Sequence, residues 1–439
     1  MRILIAVHTY PPGGVGGAEQ RAERTARALQ RLGHDVRVLS VHWSATRETT
    51  DVAADVHRQI PVRRVWLAGT PGPFADSYDH PAVAAAAEAL LREWRPDIVH
   101  QYSGYLTTAA IIRVAAAAHV PVVVSLTDYW WFCSRITLIR TTGELCDGPT
   151  LSGCALCHAQ EKRRVRWPSL VAPRTIGALW QLATRVGSLS APMGLEDQRR
   201  RSAVLSQTLA SATALIAPSR FVADAYRRHW KDSNRLHVMR QGVEGATSPA
   251  RPRRRGLSVG YLGQIKPHKG VDLLIDAWSM LKRGPHDRLW LIGSSEGQER
   301  YHRDLRRRTT AAENVEWRDA VSRDQIWTVL ADLDALVVPS RWPENSPNTI
   351  LEAQAARVPV IGARIGGIPE LIDHGVNGLL FRPDDARDLA AALQTLVGAP
   401  ERVDQMRQGS INVRTVDDEA RDLVRLYEDT LGPTPAAAS

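Results

Sequence analysis

Two carboxylates in the C-terminal half are the residues best suited to chemistry. Glu344 and Glu352 stand eight positions apart, after a predicted buried strand that ends at Ser340 and around a helix predicted to begin near Asn348. The amino end of a helix presents unpaired backbone N–H groups and the positive end of its dipole, which suits a diphosphate. Ionised carboxylates accept hydrogen bonds from sugar or ribose hydroxyls. The stretch therefore predicts a site for a ligand with both phosphate and hydroxyl groups.

The same residues allow a purely structural interpretation. Thr349 and Glu352 fit a capping box, in which the glutamate folds back onto the first backbone N–H of its own helix. Spacing alone does not choose between a binding site and a cap.

The cysteines form a second candidate site. All four lie within 25 residues, and the last two form a Cys-x-x-Cys pair: Cys133, Cys146, Cys154 and Cys157. Four thiolates in this arrangement can hold a structural Zn²⁺. The alternative is four reduced thiols packed in a small subdomain.

Two series of alternating strands and helices must position these residues. The first begins with a strand at residues 2–10, a Gly-rich loop and the helix Ala18 to Leu32, and the second begins near Leu257. Because 439 residues exceed the roughly 250–300 at which one core stops growing, we expect two domains. The predicted fold class is α/β, with two doubly wound Rossmann-like domains facing a central cleft, where such folds bind ligands.

The expected boundaries follow from these two series and from an Arg-rich linker at 249–256. An N-terminal Rossmann-like domain is predicted at 1–248 with a Cys-rich insertion at 129–160, a C-terminal Rossmann-like domain at 257–410, a helix packing back across the hinge at 411–432, and a disordered tail at 433–439.

Charge points to an anionic partner without identifying it. The chain carries 56 basic and 47 acidic residues, and nucleic acid is the weakest candidate because the basic runs are scattered. Around Trp167 and Leu170, apolar side chains mix with Lys162, Arg163 and Arg164, which suits an anionic membrane surface; core-facing helices with solvated basic faces are the alternative. With no secretory signal or membrane span predicted, we expect a cytoplasmic protein, peripheral at most on the inner face of the membrane.

Three motifs in order across nearly the whole chain resemble those of the family 4 retaining glycosyltransferases, which have the GT-B fold. They are the Glu344-x7-Glu352 pattern with the sequence GGIPE at 366–370, the stretch GYLGQIKPHKG at 260–270, and the loop GGVGGAE at 13–19. Three motifs together are far more specific than any one of them.

The resemblance implies a role for each matched residue. Lys269 neutralises the donor diphosphate, Gly16 and Gly17 let the N-terminal loop approach it, Glu344 contacts the transferred sugar, Glu352 the ribose, and the amides of Asn348 and Thr349 the phosphates. This agrees with the chemistry, because a departing nucleoside diphosphate builds negative charge that a lysine and a helix amino end stabilise.

Two positions depart from the family pattern. Gln264 stands where the family has an arginine on the phosphates, so one cation is missing or Lys266 or His268 replaces it. Thr127 stands where the family has a histidine, directly before Asp128. We still expect Asp128 to line the cleft, and we count it with Lys269 and Glu344 as catalytic.

The expected reaction is retaining transfer of a hexose-type sugar from a UDP- or GDP-sugar to a glycan or lipid-linked acceptor, in polysaccharide or cell-envelope glycoconjugate synthesis. No catalytic metal is expected, because no Asp-x-Asp pair follows a strand. One alternative is a catalytically silent sugar-nucleotide-binding protein, which the two departures suggest. Another, a dinucleotide-dependent oxidoreductase, fits poorly because Glu19 replaces the third glycine of its fingerprint.

Overall fold

The computed structural model of the chain describes residues 1–13, 16–69, 72–185, 193–230, 234–245, 255–310, 312, 314–409 and 413–432. These residues form two compact units. Unit 1 comprises the described residues within Met1–Pro218, Val222–Met239 and Glu419–Ser439, and unit 2 those within Ser219–Phe221 and Arg240–Asp418. Most of the expected linker at 249–256 and all of the expected tail at 433–439 lie outside the described residues.

Unit 1 is built on an eight-stranded sheet with the order β3-β4-β2-β1-β5-β6-β7-β8. Its strands are β1 (Arg2–His8), β2 (Asp35–Ser44), β3 (Asp51–His57), β4 (Ile60–Ala68), β5 (Ile98–Tyr102), β6 (Val122–Ser125), β7 (Ala214–Ala217) and β8 (Leu236–Val238). All neighbouring strands pair in parallel except β3 and β4, which form an antiparallel hairpin at the edge. Central strands read as continuous apolar runs, as in β1, because both faces of a parallel sheet are covered.

The helices described in this unit are α1 (Gly17–Arg31), α2 (Pro81–Trp94), α3 (Ala110–Ala117), α4 (Leu151–Ala159), α5 (Arg163–Val171), α6 (Pro173–Ala183), α7 (Leu195–Ser211) and α8 (Arg220–His229), whose first two residues are grouped with unit 2. From Glu419 onward, the final helix also belongs to unit 1. There the buried Arg21 and Glu419 side chains form an ion pair of 2.7 Å, and the hydroxyl of Tyr427 lies 2.5 Å from Nδ1 of His100.

Unit 2 contains a six-stranded parallel sheet with the order β11-β10-β9-β12-β13-β14. Its strands are β9 (Ser258–Leu262), β10 (Arg288–Ile292), β11 (Val315–Arg318), β12 (Ala335–Val338), β13 (Val360–Ala363) and β14 (Gly378–Phe381). Its described helices are α9 (Val271–Ser279), α10 (Glu299–Thr309), α11 (Arg323–Ala331), α12 (Asn348–Ala355), α13 (Ala386–Gln394) and α14 (Pro400–Gln408), followed by α15 (Val416–Leu431), whose first turn is in this unit.

The side chains on the two faces of this second sheet form separate apolar cores. Trp278, Leu291 and Phe381 lie in one, and Ile292, Leu336 and Ile350 in the other. The predicted fold class of two doubly wound α/β units is confirmed. No helix among the described residues is both long and apolar enough to cross a bilayer.

Candidate functional site

The loop that joins β12 to α12 holds a buried ion pair. Nζ of Lys269 donates to Oε1 of Glu344 at 2.7 Å, and the hydroxyl of Ser340 donates to the same oxygen at 2.7 Å. The Glu344 side chain is 8% exposed and that of Lys269 23%, so the pair is shielded but reachable from solvent. The ammonium of Lys269 also lies 5.0 Å from the ring centroid of Trp342, a cation–π contact.

Glycines on both sides fix this pair by close backbone contact. Lys269 ends a short 3-10 turn that is followed by Gly270, whose φ of +73° and contact with the carbonyl of Pro339 leave no room for a Cβ. Gly366, with φ +62°, lies equally close to the backbone of Glu344. The N–H of Gly367 donates to the Glu344 carbonyl at 2.6 Å. The GGIPE motif therefore sets the path of the backbone that carries Glu344.

Glu352 lies in the second turn of α12 and is 2% exposed. Its Oε1 accepts from the guanidinium of Arg323 at 3.2 Å. The capping-box alternative is wrong, because the cap position of α12 is Pro347 and no side-chain hydrogen bond caps the helix. Glu352 is thus a buried, ion-paired carboxylate.

The amino end of α12 begins at Asn348, with Thr349 next in the first turn. The side-chain amide of Gln241 donates to the carbonyl of Ser346 at 2.7 Å and to Oδ1 of Asn348 at 2.8 Å, which orders the loop before the helix. Lys269 contacts Glu344 only four residues before this helix begins. The Lys269 side chain therefore contacts the short loop that leads into the amino end of α12.

Gln264, which stands at the family's arginine position, lies between β9 and the 3-10 turn Pro267–Lys269. The side chain of Gln264 is exposed, and the backbone carbonyl of Gln264 accepts from the hydroxyl of Tyr261 at 2.6 Å. Burial and the charge of Lys269 lower the pKa of His268 to about 4. His268 is therefore neutral near pH 7, which leaves Lys266 as the one of the two suggested substitutes that carries a charge.

A cavity of about 470 Å³ opens at the carboxyl ends of β9, β10 and β11. Its lining includes Ile265, Ser294, Glu296, His302 and Arg318. Ligands of doubly wound sheets bind at this edge. Sequence reasoning did not identify these residues; the signal was the sequence Gly-Ser-Ser directly after β10.

The glycines of the N-terminal loop lead into α1. Gly16 occupies the cap position and Gly17 is the first helical residue. A Cβ on Gly16 would collide with the carboxylate of Glu19, which lies in the first turn and faces Nε2 of His8 at 3.2 Å.

Asp128 is half-buried just after the carboxyl end of β6. Its Oδ2 accepts from the hydroxyl of Ser103 at 2.5 Å, and its Oδ1 accepts from the backbone N–H of Trp130 at 2.8 Å. Burial raises the pKa of Asp128 despite these bonds and the nearby His8, and Thr127 precedes it at the strand end. His8 and Ser103, which sequence reasoning missed, share this sheet edge because β1 and β5 are neighbouring parallel strands.

The four cysteines are free thiols. Burial raises the pKa of Cys133, and it raises that of Cys154 to about 11, so both are protonated near neutral pH. Among the described residues, which include all four cysteines, no three His, Cys, Asp or Glu side chains are arranged as ligands of one metal ion. The arrangement therefore adds no support to the zinc hypothesis.

Comparison with known proteins gives two family matches. Residues 16–242 match the glycosyl transferase 4-like domain, and residues 256–399 match the glycosyl transferases group 1. The first match alone spans more than half of the chain. The chain belongs to the family 4 glycosyltransferases of GT-B fold.

Individual relatives are distant in sequence. The chain is 26% identical to a glycogen synthase of Mycobacterium tuberculosis over 91% of its own length and 87% of the relative's. It is 25% identical to a D-inositol 3-phosphate glycosyltransferase of Rhodococcus jostii over 91% and 82%. Among solved structures, Anabaena HepE in complex with UDP matches with a TM-score of 0.64 and 18% identity over 97% of this chain and 99% of that one. Sucrose-phosphate synthase from Thermosynechococcus elongatus matches with a TM-score of 0.67 and 16% identity over 97% and 98%.

Proposed function

We propose that this glycosyltransferase moves a hexose from a UDP- or GDP-sugar to a glycan or lipid-linked acceptor, with retention of configuration, in polysaccharide or cell-envelope glycoconjugate synthesis. The observation that carries the proposal is the Lys269–Glu344 pair on the loop that leads into the amino end of α12. The relatives named glycogen synthase and D-inositol 3-phosphate glycosyltransferase, and the UDP complex of HepE, support a nucleotide-sugar donor.

In this proposal the diphosphate competes with Glu344 for Lys269. The ammonium turns from the carboxylate to the phosphate oxygens, while the amides of Asn348 and Thr349 at the start of α12 donate to the same group. Both positive elements then stabilise the charge that builds as the nucleoside diphosphate leaves. Lys266 supplies a further cation near Gln264.

The same exchange prepares Glu344 for the sugar. Both of its contacts use Oε1, and among the described residues no hydrogen bond to Oε2 is found. A carboxylate has about four acceptor positions, so Glu344 has capacity for hydroxyl groups of the transferred hexose. We assign Glu344 to the sugar for this reason.

The nucleoside is proposed to use the edge formed by β9, β10 and β11. Glu352, held by Arg323, accepts from the ribose hydroxyls in this proposal, as the family resemblance implies. The cavity that contains Ile265 and Arg318 has the position and size for the base.

In unit 1, we propose that Asp128 contacts the reacting sugars and that the Gly16–Gly17 loop approaches the donor. Asp128 is rigidly held by Ser103 and the Trp130 amide, and its raised pKa is typical of functional carboxylates. Retention is inferred from the family: the acceptor attacks on the face from which the diphosphate departs, without an enzyme nucleophile. Lys269 and the helix end take the place of a divalent metal.

The proposed acceptor and the proposed cytoplasmic location are consistent with one site of action, the inner face of the membrane. A lipid-linked acceptor is presented at a membrane surface, so we propose peripheral contact with the inner face of an anionic membrane. A structural Zn²⁺ at the four cysteines remains a hypothesis for metal analysis.

The decisive experiment is a panel of UDP- and GDP-sugars tested first by thermal shift and then for nucleotide release. We expect one donor to raise the melting temperature most and to be turned over, with the product's anomeric configuration, read by NMR, matching the donor's. Saturable binding without nucleotide release in the presence of varied acceptors would favour the silent binder. Loss of turnover with chelator, restored only by Mg²⁺ or Mn²⁺, would contradict the metal-independent mechanism.

A further inference from the structure

The helices α5 and α6 expose apolar side chains. Three of them follow helical spacing on α5 and two on α6: Trp167 (66% exposed), Leu170 (50%), Val171 (70%), Leu179 (57%) and Leu182 (62%). Within the described residues, no other segment of similar length holds so many exposed large apolar side chains. A concentration of this kind marks an interaction surface.

This surface is also strongly basic. From residue 162 to residue 185 the chain has no acidic residue and six basic ones: Lys162, Arg163, Arg164, Arg166, Arg174 and Arg185. In the described part of the chain none of these six forms an ion pair, whereas exposed arginines such as Arg199, Arg227 and Arg425 pair with an acidic residue three positions away. Their charge is therefore directed to solvent or to a partner.

Internal contacts hold the two helices without covering these side chains. The indole N–H of Trp180 on α6 donates to the carbonyl of Ser152 on α4 at 3.1 Å, and the hydroxyls of Ser152 and Thr184 lie 3.3 Å apart. On α5, Ser169 is the buried position. The helices are therefore anchored to unit 1 through a few contacts, and their large apolar side chains stay exposed.

We propose that this surface, defined by the exposed apolar residues of α5 and α6 and their basic neighbours, inserts into the interface of a bilayer that contains anionic lipids. Aliphatic and indole side chains enter the boundary between headgroups and acyl chains, while arginine and lysine remain at the phosphates. A nucleic acid would satisfy the charges but leave the leucines and valine in water. A second copy of the chain would place one basic stretch opposite another, because a two-fold contact pairs a patch with itself.

Membrane binding would bring the enzyme to the lipid-linked acceptor of the proposed function. The biological purpose of this surface rests on that proposed function, but its binding to a bilayer does not. Vesicle binding needs neither donor nor acceptor, so it is measured apart from sugar transfer. A protein that binds vesicles but transfers no sugar would refute the proposed function alone, and one that transfers sugar to a soluble acceptor but ignores vesicles would refute this inference alone.

The test is cosedimentation of the full chain with phosphatidylcholine vesicles, with and without phosphatidylglycerol. We expect binding only with the anionic lipid, weakening as salt rises. Replacing Arg163 and Arg166 with glutamine should lower the affinity about twenty-five-fold, at about a factor of five per charge. The matched control replaces Arg92 and Arg228, which are exposed elsewhere on unit 1, with glutamine. This control should change the affinity for the vesicles little.

The apolar contribution is tested separately. Trp167→Ser with Leu170→Ser should abolish binding, whereas Val56→Ser, at a site 65% exposed on β3, should not. Brominated lipid should quench the fluorescence of the unsubstituted protein more than that of Trp167→Phe, which reports insertion of this side chain. An unchanged donor-induced thermal shift confirms that each variant is folded. Equal binding to neutral vesicles, or loss of a dimer rather than of vesicle binding in the serine variant, would overturn the proposal.

Discussion

Replacing Lys269 with methionine tests the site most directly, because it removes the ammonium and keeps most of the unbranched apolar stem. The ammonium lies 2.7 Å from Oε1 of Glu344, whose side chain is 8% exposed. In Lys269→Met that carboxylate keeps only the hydroxyl of Ser340. Leaving a buried charge-bearing group without its partner costs about 1–3 kcal/mol. For a unit of this size that lowers the melting temperature by roughly 2–4 °C per kcal/mol.

The effect on catalysis should be larger than the effect on stability. Loss of one preorganised group that stabilises charge in the transition state typically lowers kcat by about 10² to 10³, or about 2.7–4 kcal/mol. We therefore expect kcat/KM of Lys269→Met to fall by at least that factor with the best donor of the panel. Lys269→Arg should retain more activity, because the positive charge remains.

A double variant separates the two effects. Adding Glu344→Gln to Lys269→Met removes the unpaired carboxylate, so the ligand-free melting temperature should recover, with a coupling of about 0.5–3 kcal/mol. Activity should stay lost, because neither the cation nor the carboxylate is present. The assays are thermal unfolding without ligand and initial rates of nucleotide release. If the single variant kept its turnover, or if the double variant regained it, the assigned role of Lys269 would be refuted.

Three further outcomes are expected. Gly366→Ala should sharply reduce turnover while the protein remains folded, because the new Cβ displaces the backbone of Glu344; normal kinetics would contradict this role of the glycine. The folded-state pKa of His268 is depressed from 6.5 to about 4, so its contribution to stability is present above pH 6.5 and is lost as the pH falls toward 4. In thermal unfolding, His268→Gln should therefore lose less stability than the unsubstituted protein over that pH window. Parallel curves of melting temperature against pH for the two proteins would contradict this role of His268. Metal analysis of the purified protein decides the cysteine hypothesis: one zinc per chain, lost when Cys154 and Cys157 become serine, would support it, and metal-free folded protein would end it.

The elements that sequence reasoning identified share one property, continuous apolar strands with both faces buried. The apolar run that starts at Ala335 predicts a strand at 335–340, and the structure has β12 there, with Ala335, Leu336 and Val337 fully buried. The helix near Asn348 was predicted from its polar start. Such signals are local, so they can be recognised in the sequence without knowledge of the tertiary structure.

The strands that the sequence analysis does not predict lie at a sheet edge or next to one. The β3–β4 hairpin has a mostly exposed first strand, Asp51–His57, and a turn at Arg58 and Gln59 with positive φ but no glycine or asparagine. The edge strand β11 is half-exposed. Its pairing with β10, which brings Arg318 to the cavity, depends on contacts that no local pattern encodes.

In the candidate site, too, local motifs could be identified from the sequence, whereas long-range contacts could not. The motifs single out Lys269 and Glu344 as candidate site residues, but they do not indicate that these two side chains, 75 positions apart, pair directly. In the proposed mechanism this pairing links the two halves of the donor. Glu344 pairs with the Lys269 ammonium until the donor binds, phosphate oxygens then replace the carboxylate, and the carboxylate becomes available for the sugar hydroxyls. We therefore propose that one exchange of partners couples recognition of the diphosphate and of the sugar.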